Sequence, residues 1–430
     1  MNIVYLIGNG FDLRLGLPTR YEDFLEFYKK QHPYYSDNDG VIRKYKKAFF
    51  LEMEKQEGLG RVQWKDLEIA LGEFTSSCGS DIDGFRDFYV DMNSALKTYL
   101  SSCDDLKPTQ EEIDKMRKDI VYPYLGLNKK EQKALGDKII DNHWYVDVIT
   151  FNYTSSFEAL CEGALMLNEA HYPTEGNSGY PIVYRGVKHV HGMLKDDDNI
   201  LLGVDNPGQI TNRLYKEEED VTNLLVKPQG NGVCGTMVDD DCLRLIAEAD
   251  LICLFGVSLG PTDQMWWTAV KERYLSNPHV ILLYFHYDPS PKHTLPVDGR
   301  PKRKARQQLI DALGLEGDQK AYEERVFVTI NSDMFPARIK KLRSKIRHGM
   351  LRNETPIFPE YVVDHSDSLL QDRSYRMSSL HPFDITDDDF EDISESFKGV
   401  SGRVTRSKSK QSDLTQQRLN KILSAIKERE

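Results

Sequence analysis

Two short stretches in the middle of the chain carry side chains suited to acid–base chemistry. Residues 150–154 read Thr-Phe-Asn-Tyr-Thr, and residues 188–192 read Lys-His-Val-His-Gly. Imidazole changes its protonation near neutral pH, and Gly192 leaves room for a substrate beside His191, so His191 is a candidate general base. Asn152 offers both donor and acceptor atoms, so it can orient a water molecule or hold a ribose hydroxyl.

Each of these side chains also has a structural interpretation. An asparagine at a strand end can pair with backbone while Thr154 caps the next helix, and this alternative stays open for Asn152. A lone histidine is more often structural than catalytic. His189 and His191 share one face of an extended strand, but they lack a nearby third ligand, so a metal site is a weak alternative and we expect no metal.

A glycine motif near the N-terminus suggests a phosphate site. Residues 3–7 form a short apolar run typical of a buried strand, which ends at Gly8, Asn9 and Gly10. Glycines let the backbone turn and approach a ligand, and a helix predicted from near Thr19 would aim its amide groups at a phosphate. A third glycine of the dinucleotide fingerprint is missing, so an ordinary tight turn remains an alternative. Asp12 would repel a pyrophosphate, which favours helix capping or a ribose hydroxyl as its role.

The same arrangement recurs in the second half of the chain. Residues 250–255 read as a buried strand that is followed by Gly256, Val257 and Ser258 and then by a helix. We expect Ser258 to bond a phosphate or ribose oxygen, and we expect Thr262 or Asp263 to cap the helix.

The elements that position these motifs alternate between strand and helix. Strands are predicted at 146–151, 200–205, 280–286 and 325–330, an antiparallel pair at 182–184 and 186–191, and a basic helix at 302–313. A helical insertion fills about 20–141. This order predicts an α/β fold with a parallel sheet covered on both faces.

We expect residues 1–345 to form one domain and 346–430 a C-terminal extension. Residues 364–395 are acidic and serine-rich and 402–410 are basic, which is typical of a partly disordered linker. Leu419, Ile422, Leu423 and Ile426 fall on one face of a terminal helix. That helix can dock on its own domain or contact a partner or a second copy.

Composition restricts the classes of function. The 430 residues carry a net charge of −12, which argues against a nucleic-acid-coating surface. The longest apolar runs are too short to span a membrane, and the N-terminus lacks the basic region of a signal peptide. The six cysteines are scattered without a Cys-x-x-Cys pair, so reduced thiols in the cytoplasm are expected.

Five motifs occur in one order along residues 1–340. They are Gly-Asn-Gly-Phe-Asp, Trp64 with Glu68, Phe-Asn-Tyr-Thr, His-x-His-Gly and Phe-Gly-x-Ser-Leu-Gly-x-Thr-Asp. Together they resemble the AbiH family of bacteriophage abortive-infection proteins. That family in turn resembles the sirtuin-like NAD-binding domains of prokaryotic antiviral systems.

The resemblance implies a Rossmann-like (sirtuin-like) sheet and an antiviral NAD glycohydrolase, which cleaves NAD as its substrate to nicotinamide and ADP-ribose. By matching motif, Asn152 and His191 flank the nicotinamide ribose and are the expected catalytic residues. The glycine loop is expected to hold the pyrophosphate and adenosine part, and the later motif to contact phosphate or ribose. The expected NAD-binding residues are Gly8, Asn9, Gly10, Phe11, Asp12, Gly256, Ser258 and Asp263.

Departures from the sirtuin pattern leave alternatives open. The four-cysteine zinc ribbon of deacetylating sirtuins is missing, so protein deacylation is not expected. A non-catalytic sensor that binds NAD or ADP-ribose and acts through a partner is the main alternative. A nuclease-like or nucleotide-modifying toxin fits the acidic composition poorly. A phage-derived trigger, a partner protein and a homo-oligomer are compatible with the sequence, which names none of them.

Overall fold

A computed structural model describes residues 1–31, 39–57, 64–136, 144–161, 182–194, 200–289, 299–317 and 319–338. Its strands are β1 (Asn2–Ile7), β2 (Trp144–Thr150), β3 (Ile182–His189), β4 (Leu251–Phe255), β5 (Ile281–His286) and β6 (Val326–Ile330). The predicted C-terminal extension and its terminal helix lie outside the described residues.

The helices of the first half are α1 (Gly10–Arg14), α2 (Tyr21–Lys30), α3 (Asp39–Glu57), α4 (Trp64–Phe74), α5 (Ile82–Cys103), α6 (Gln110–Val121), α7 (Lys129–Gly136) and α8 (Ser156–Cys161). Those of the second half are α9 (Arg213–Glu217), α10 (Glu219–Leu225), α11 (Lys227–Cys234), α12 (Val238–Glu248), α13 (Gln264–Ser276) and α14 (Arg300–Ala312). No helix among the described residues is both long and apolar enough to cross a membrane.

The six strands form one sheet in the order β3-β2-β1-β4-β5-β6, and every neighbouring pair is parallel. The predicted α/β fold with a parallel sheet is therefore confirmed. Alternate residues of β1 enter two different cores: Tyr5 packs towards α6 and α8, and Leu6 towards α12, α13 and α14. The strand order reverses between β1 and β4, so the turns that follow these two strands lie side by side.

Helices α2 to α7 fill the connection between β1 and β2. Helices α2 to α5 build a third core, separate from the two cores on the sheet faces. Apolar residues from 200–226 complete this core, among them Leu202, Tyr215 and Leu225. We call this combined unit the helical subdomain. It sits at the carboxyl edge of the sheet, where Tyr153 joins its core.

The predicted antiparallel pair at 182–184 and 186–191 is wrong. These residues form the single strand β3, which runs parallel to β2. Gly186 has φ +110°, and the register shifts by one residue where Tyr184 pairs with Val146 and Gly186 with Asp147. The glycine accommodates a bulge, so the chain continues as one strand past residue 185, where two separate strands were predicted.

The predicted strand at 200–205 is also wrong. Val204 makes an isolated bridge to Val226, its N–H donating to the Leu225 carbonyl at 2.8 Å. A Cβ on Gly203 would lie 2.0 Å from that carbonyl oxygen. The apolar run therefore packs against α10 as irregular chain and belongs to the helical subdomain.

The two glycine turns contact each other through backbone. The N–H of Gly8 donates to the Phe255 carbonyl at 3.0 Å, and that of Gly10 to the Gly256 carbonyl at 2.9 Å. A Cβ on Gly8 would lie 2.6 Å from Gly256 O, and Gly256 itself has φ +67°. Glycine is thus required here so that the turns after β1 and β4 can touch.

Asp12 links the first turn to the next strand connection. Its buried carboxylate accepts hydrogen bonds from the hydroxyls of Thr154, at 2.7 Å, and Ser156. Burial raises the pKa of Asp12 from 3.8 to about 6, although both hydroxyl hydrogen bonds act in the opposite direction. The carboxylate therefore holds hydroxyl groups of the protein's own α8 connection.

Gly8→Ala tests the contact between the turns. The added methyl group would overlap the Gly256 carbonyl and neighbouring backbone, which cannot rotate away. We expect a loss of about 3 kcal/mol in the free energy of unfolding, measured by urea denaturation. Gly40→Ala is the control, because Gly40 is exposed in α3 with open space around it. That change should be neutral or gain up to about 1 kcal/mol. Equal stability of the two variants would contradict the contact.

Asp12→Asn tests the buried carboxyl. Because its pKa is higher in the folded than in the unfolded chain, Asp12 favours the folded state below about pH 4. That contribution is lost as pH rises through about 6. Two pH units correspond to about 3 kcal/mol. Between pH 4 and pH 7 the stability of the wild type should therefore fall by about 3 kcal/mol relative to Asp12→Asn, measured by denaturation at each pH.

The control for this experiment is Asp83→Asn, since the Asp83 side chain is exposed. Its stability curve should run parallel to that of the wild type. A parallel curve for Asp12→Asn as well would show that Asp12 does not titrate as described.

Candidate functional site

The predicted site residues follow four strands at one edge of the sheet. Asn152 lies two residues after β2, and His191 two residues after β3. Gly8 follows β1 and Ser258 follows β4. Because all strands are parallel, these segments share the carboxyl edge, where ligands bind in open α/β sheets.

His189 and His191 point to different surroundings, contrary to the prediction that they share a face. Strand β3 ends at His189, and the chain turns before His191. His189 Nδ1 lies 2.8 Å from the Asn152 carbonyl and its Nε2 lies 2.6 Å from Glu158 Oε1. A carbonyl can only accept, so Nδ1 donates to Asn152, while Nε2 faces the Glu158 carboxyl group. This partly buried pair supports the connection after β2.

His191 faces Asp263. Its Nε2 lies 3.0 Å from Asp263 Oδ1 and is buried, but the two atoms are not aligned as a hydrogen bond. The rings of Phe151 and Tyr153 lie 5.5 Å and 6.2 Å from the imidazole. The residues on either side of Asn152 therefore hold the His191 ring in place.

A buried lysine, which the sequence analysis missed, joins this pair to the helical subdomain. Lys227, the first residue of α11, places Nζ 2.8 Å from Asp263 Oδ1 and 3.0 Å from Glu68 Oε1. Glu68 comes from α4 and was noted as part of a motif without a role. Lys227 lies in a Lys-Pro-Gln-Gly stretch that resembles no motif, so no local pattern marks it as a site residue. We call Glu68, Lys227, Asp263 and His191 the charged cluster.

Mutual attraction sets the ionisation of the charged cluster. Burial acts to raise the pKa of Asp263, but the Lys227 ammonium and His191 hold it well below its usual range. Burial raises the pKa of Glu68, with Lys227 opposing and Asp263 reinforcing the shift. Burial acts to lower the pKa of Lys227, but the Asp263 and Glu68 carboxylates raise it. The lysine is therefore an ammonium ion at neutral pH, and Asp263 is a carboxylate.

Asp263 occupies the predicted capping position before α13 but does not cap the helix. Its side chain turns to Lys227 and His191 instead. The amide of Met265 donates to Asp205 Oδ1 at 2.9 Å, so a carboxylate from another loop caps α13. Asp263 therefore has no capping role, and its carboxylate belongs to the charged cluster.

A pocket lies beside His191. Its volume is about 190 Å³, including the open space at its mouth. Burial raises the pKa of Asp239 in its wall to about 6, against the hydrogen bond from Asn231 and the attraction of His191. The lining carries three carboxylates and one indole. It comprises Val190, His191, Asp205, Lys227, Pro228, Asn231, Asp239, Thr262, Asp263, Met265 and Trp266.

Of the predicted site residues, His191 and Asp263 line this pocket, whereas Gly8, Asn152 and Ser258 are not in its lining. Asn152 is buried, and its Oδ1 has no hydrogen-bond partner within the described part of the chain. Ser258 is exposed. Asn9 pairs with Thr19, its side-chain amide donating at 2.8 Å and its Oδ1 accepting at 2.6 Å.

Phe11 is fully buried against Phe157, Phe255 and Phe335, so its ring belongs to the core of the sheet. The amide groups of Gly8, Gly10 and Phe11 all donate to backbone carbonyls. In this state they are not available to a phosphate. The NAD-binding roles assigned to the loop therefore stay predictions.

The arrangement can perform proton transfer. A carboxylate beside an imidazole stabilises the imidazolium that forms when the ring accepts a proton. Within the described ranges no three His, Cys, Asp or Glu side chains come together as a metal site. The Lys227 ammonium occupies the space between the two carboxylates that converge here.

Comparison with known proteins identifies the family. A search of curated proteins finds no match. A family model described as bacteriophage abortive infection AbiH matches residues 4–285. This range runs from β1 into β5 and includes Asn152, every residue of the charged cluster and the whole lining of the pocket. The chain belongs to the AbiH family of bacteriophage abortive infection proteins.

Proposed function

We propose that this protein is a gated NAD glycohydrolase that acts in abortive infection by cleaving NAD to nicotinamide and ADP-ribose. The observation that carries the proposal is the buried His191–Asp263 pair, which opens on a pocket at the carboxyl edge of the sheet. An imidazole beside an ionised carboxylate is suited to accept a proton from water or from a ribose hydroxyl.

The sheet supports a dinucleotide as the substrate. The strand order 3-2-1-4-5-6 is that of doubly wound, Rossmann-like sheets, which bind dinucleotides where the order reverses. In this chain the reversal lies between β1 and β4, where the two glycine turns meet. Together with the motif order, this supports a sirtuin-like relationship.

The reaction needs one base. Nicotinamide leaves NAD as a neutral molecule that takes the electron pair of the glycosidic bond, so the leaving group does not require protonation. The ribose develops oxocarbenium character, and water adds to its anomeric carbon while losing a proton. We assign that proton to His191 and the stabilisation of the resulting imidazolium to Asp263. The unpartnered Oδ1 of Asn152 can accept a hydrogen bond from the water or from a ribose hydroxyl.

The state described here is closed to the whole substrate. Pockets that enclose drug-sized ligands measure about 300–1,000 Å³, whereas this one measures about 190 Å³ even when the open solvent at its mouth is counted. The amides of the glycine loop are already bonded within the protein. NAD therefore needs a more open conformation. An enzyme that depletes NAD must stay inactive in an uninfected cell, so a trigger that favours the open state fits this proposal.

A non-catalytic sensor of NAD or ADP-ribose is the second candidate. The glycine loop favours it, because the loop lacks a third glycine and carries the Asp12 carboxylate. Like the enzyme, a sensor needs the more open conformation to admit its ligand. The candidates differ in one product. A glycohydrolase releases free nicotinamide, whereas a sensor leaves the ligand intact and signals through a partner.

His191→Gln tests the enzyme. Loss of a general base should lower the rate of nicotinamide release about 10²–10⁴-fold. The measurement is nicotinamide and NAD by mass spectrometry, with purified protein and with cells challenged by a phage against which the wild type protects. His279→Gln is the matched control, because His279 is exposed and lies just before β5, at the opposite edge of the sheet from the site. Unchanged NAD with full protection in the wild type would reject the enzyme in favour of the sensor.

A further inference from the structure

The charged cluster contains one group whose role the proposed reaction leaves open. Lys227 is almost fully buried, yet its ammonium group lies between two carboxylates from different parts of the chain. Glu68 belongs to the helical subdomain, and Asp263 precedes α13 on the sheet. Burying a lysine is costly unless it is paired, so its presence beside the catalytic pair needs an explanation.

The charges do not balance until His191 is counted. Glu68 and Asp263 carry two negative charges, and Lys227 supplies one positive charge. A neutral His191 leaves the cluster with a net charge of −1, whereas a protonated His191 brings it to zero. Since an uncompensated buried charge is unfavourable, a proton accepted by His191 is compensated by the charges already present in the cluster.

Lys227 determines which carboxylate faces His191 as an anion. One ammonium ion neutralises Glu68 and also holds Asp263 by its Oδ1 atom, the same atom that faces His191 Nε2. Without Lys227, two buried carboxylates would face one imidazole, and one of them would bind a proton. The negative charge of Asp263 would then be lost to the histidine.

We propose that Lys227 is a positioning residue for His191, which keeps the Asp263 carboxylate ionised and adjacent to the imidazole while it neutralises Glu68. The inference deepens the proposed function, since it concerns how the base of that reaction is prepared. The other ionisable groups near His191 are Asp239 of α12, which interacts with it electrostatically, and Asp205, which lines the same pocket.

A structural role for Lys227 makes a different prediction. If Lys227 served merely to tie α4 to the sheet, removing either partner would lower stability without moving the titration of His191. The positioning role requires that the midpoint of His191 fall when Lys227 is removed, because Asp263 loses its negative charge, and recover when Glu68 is removed with it.

The test is a pH titration of His191 by NMR in the full chain, with histidine labelled at Cε1 and the resonance assigned by its loss in His191→Gln. Glu68→Gln removes a negative charge, so the midpoint should fall by about one pH unit. Lys227→Met lets one of the two carboxylates bind a proton, so Asp263 no longer supports the imidazolium and the midpoint should also fall. The double variant Glu68→Gln/Lys227→Met restores the net charge of −1, and its midpoint should return to that of the wild type. Lys227→Arg keeps the charge and should leave the midpoint unchanged.

The control is Glu272→Gln, the same charge change at an exposed position on α13. Its midpoint should match the wild type. If Lys227→Met fails to fold, Glu68→Gln and the double variant decide the question. An unmoved midpoint in Glu68→Gln, or a double variant that keeps the Glu68→Gln value, overturns the proposal.

This readout does not depend on catalysis. Where NAD is cleaved, the acid limb of the pH profile of kcat/KM should move with the NMR midpoint. The predicted NMR shifts without any release of nicotinamide would leave the role of Lys227 intact and reject the glycohydrolase.

Discussion

The burial of one positive charge constrains the way this protein is assembled. Lys227 is paired with Glu68 of the helical subdomain and with Asp263 beside the sheet. A buried ammonium that loses a partner carries a penalty of several kcal/mol, so the two bodies are held in one relative position at this point. The segment 200–226 brings the lysine there, because it is packed into the core of the helical subdomain and ends just before α11. The candidate site forms where the helical subdomain meets the carboxyl edge of the sheet.

Much of the sheet follows from local pattern. The apolar runs that became β1, β2, β4, β5 and β6 are short, rich in branched residues and bounded by polar residues or glycine, and they were predicted close to their bounds. The wrong predictions concern apolar runs that are compatible with more than one structure. Residues 182–191 form one strand with a bulge at Gly186, and residues 200–205 pack against helix α10 as irregular chain. An apolar pattern indicates that a segment is buried. Which other segment packs against it depends on the whole fold, so the pattern alone does not show it.

The residues of the candidate site were likewise predicted only in part. Asp263 was found because its motif follows a predicted strand, and His191 was found because it lies in the His-x-His-Gly motif. Lys227 was missed because a single lysine in a Lys-Pro-Gln-Gly stretch reads as a solvated loop residue, and its burial arises from contacts 36 and 159 residues away along the chain. The glycine motif illustrates the converse. Gly8 and Gly10 were correctly placed after β1, but their amides bond the neighbouring turn, a use that spacing alone does not distinguish from phosphate binding.

These features bear on how the pocket can open. The helical subdomain includes both α4 and the residues just before Lys227, so Glu68 and Lys227 lie on the same packed core. A displacement of that core from the sheet would separate Lys227 from Asp263 and leave Asp263 and His191 without their cation. Because that separation exposes buried charges one partner at a time, it is unfavourable unless water or a ligand replaces the lost contact. A trigger that opens the site along this path must therefore supply binding free energy of comparable size. Under the proposed function, the charged cluster both positions Asp263 beside the imidazole and holds the helical subdomain against the sheet.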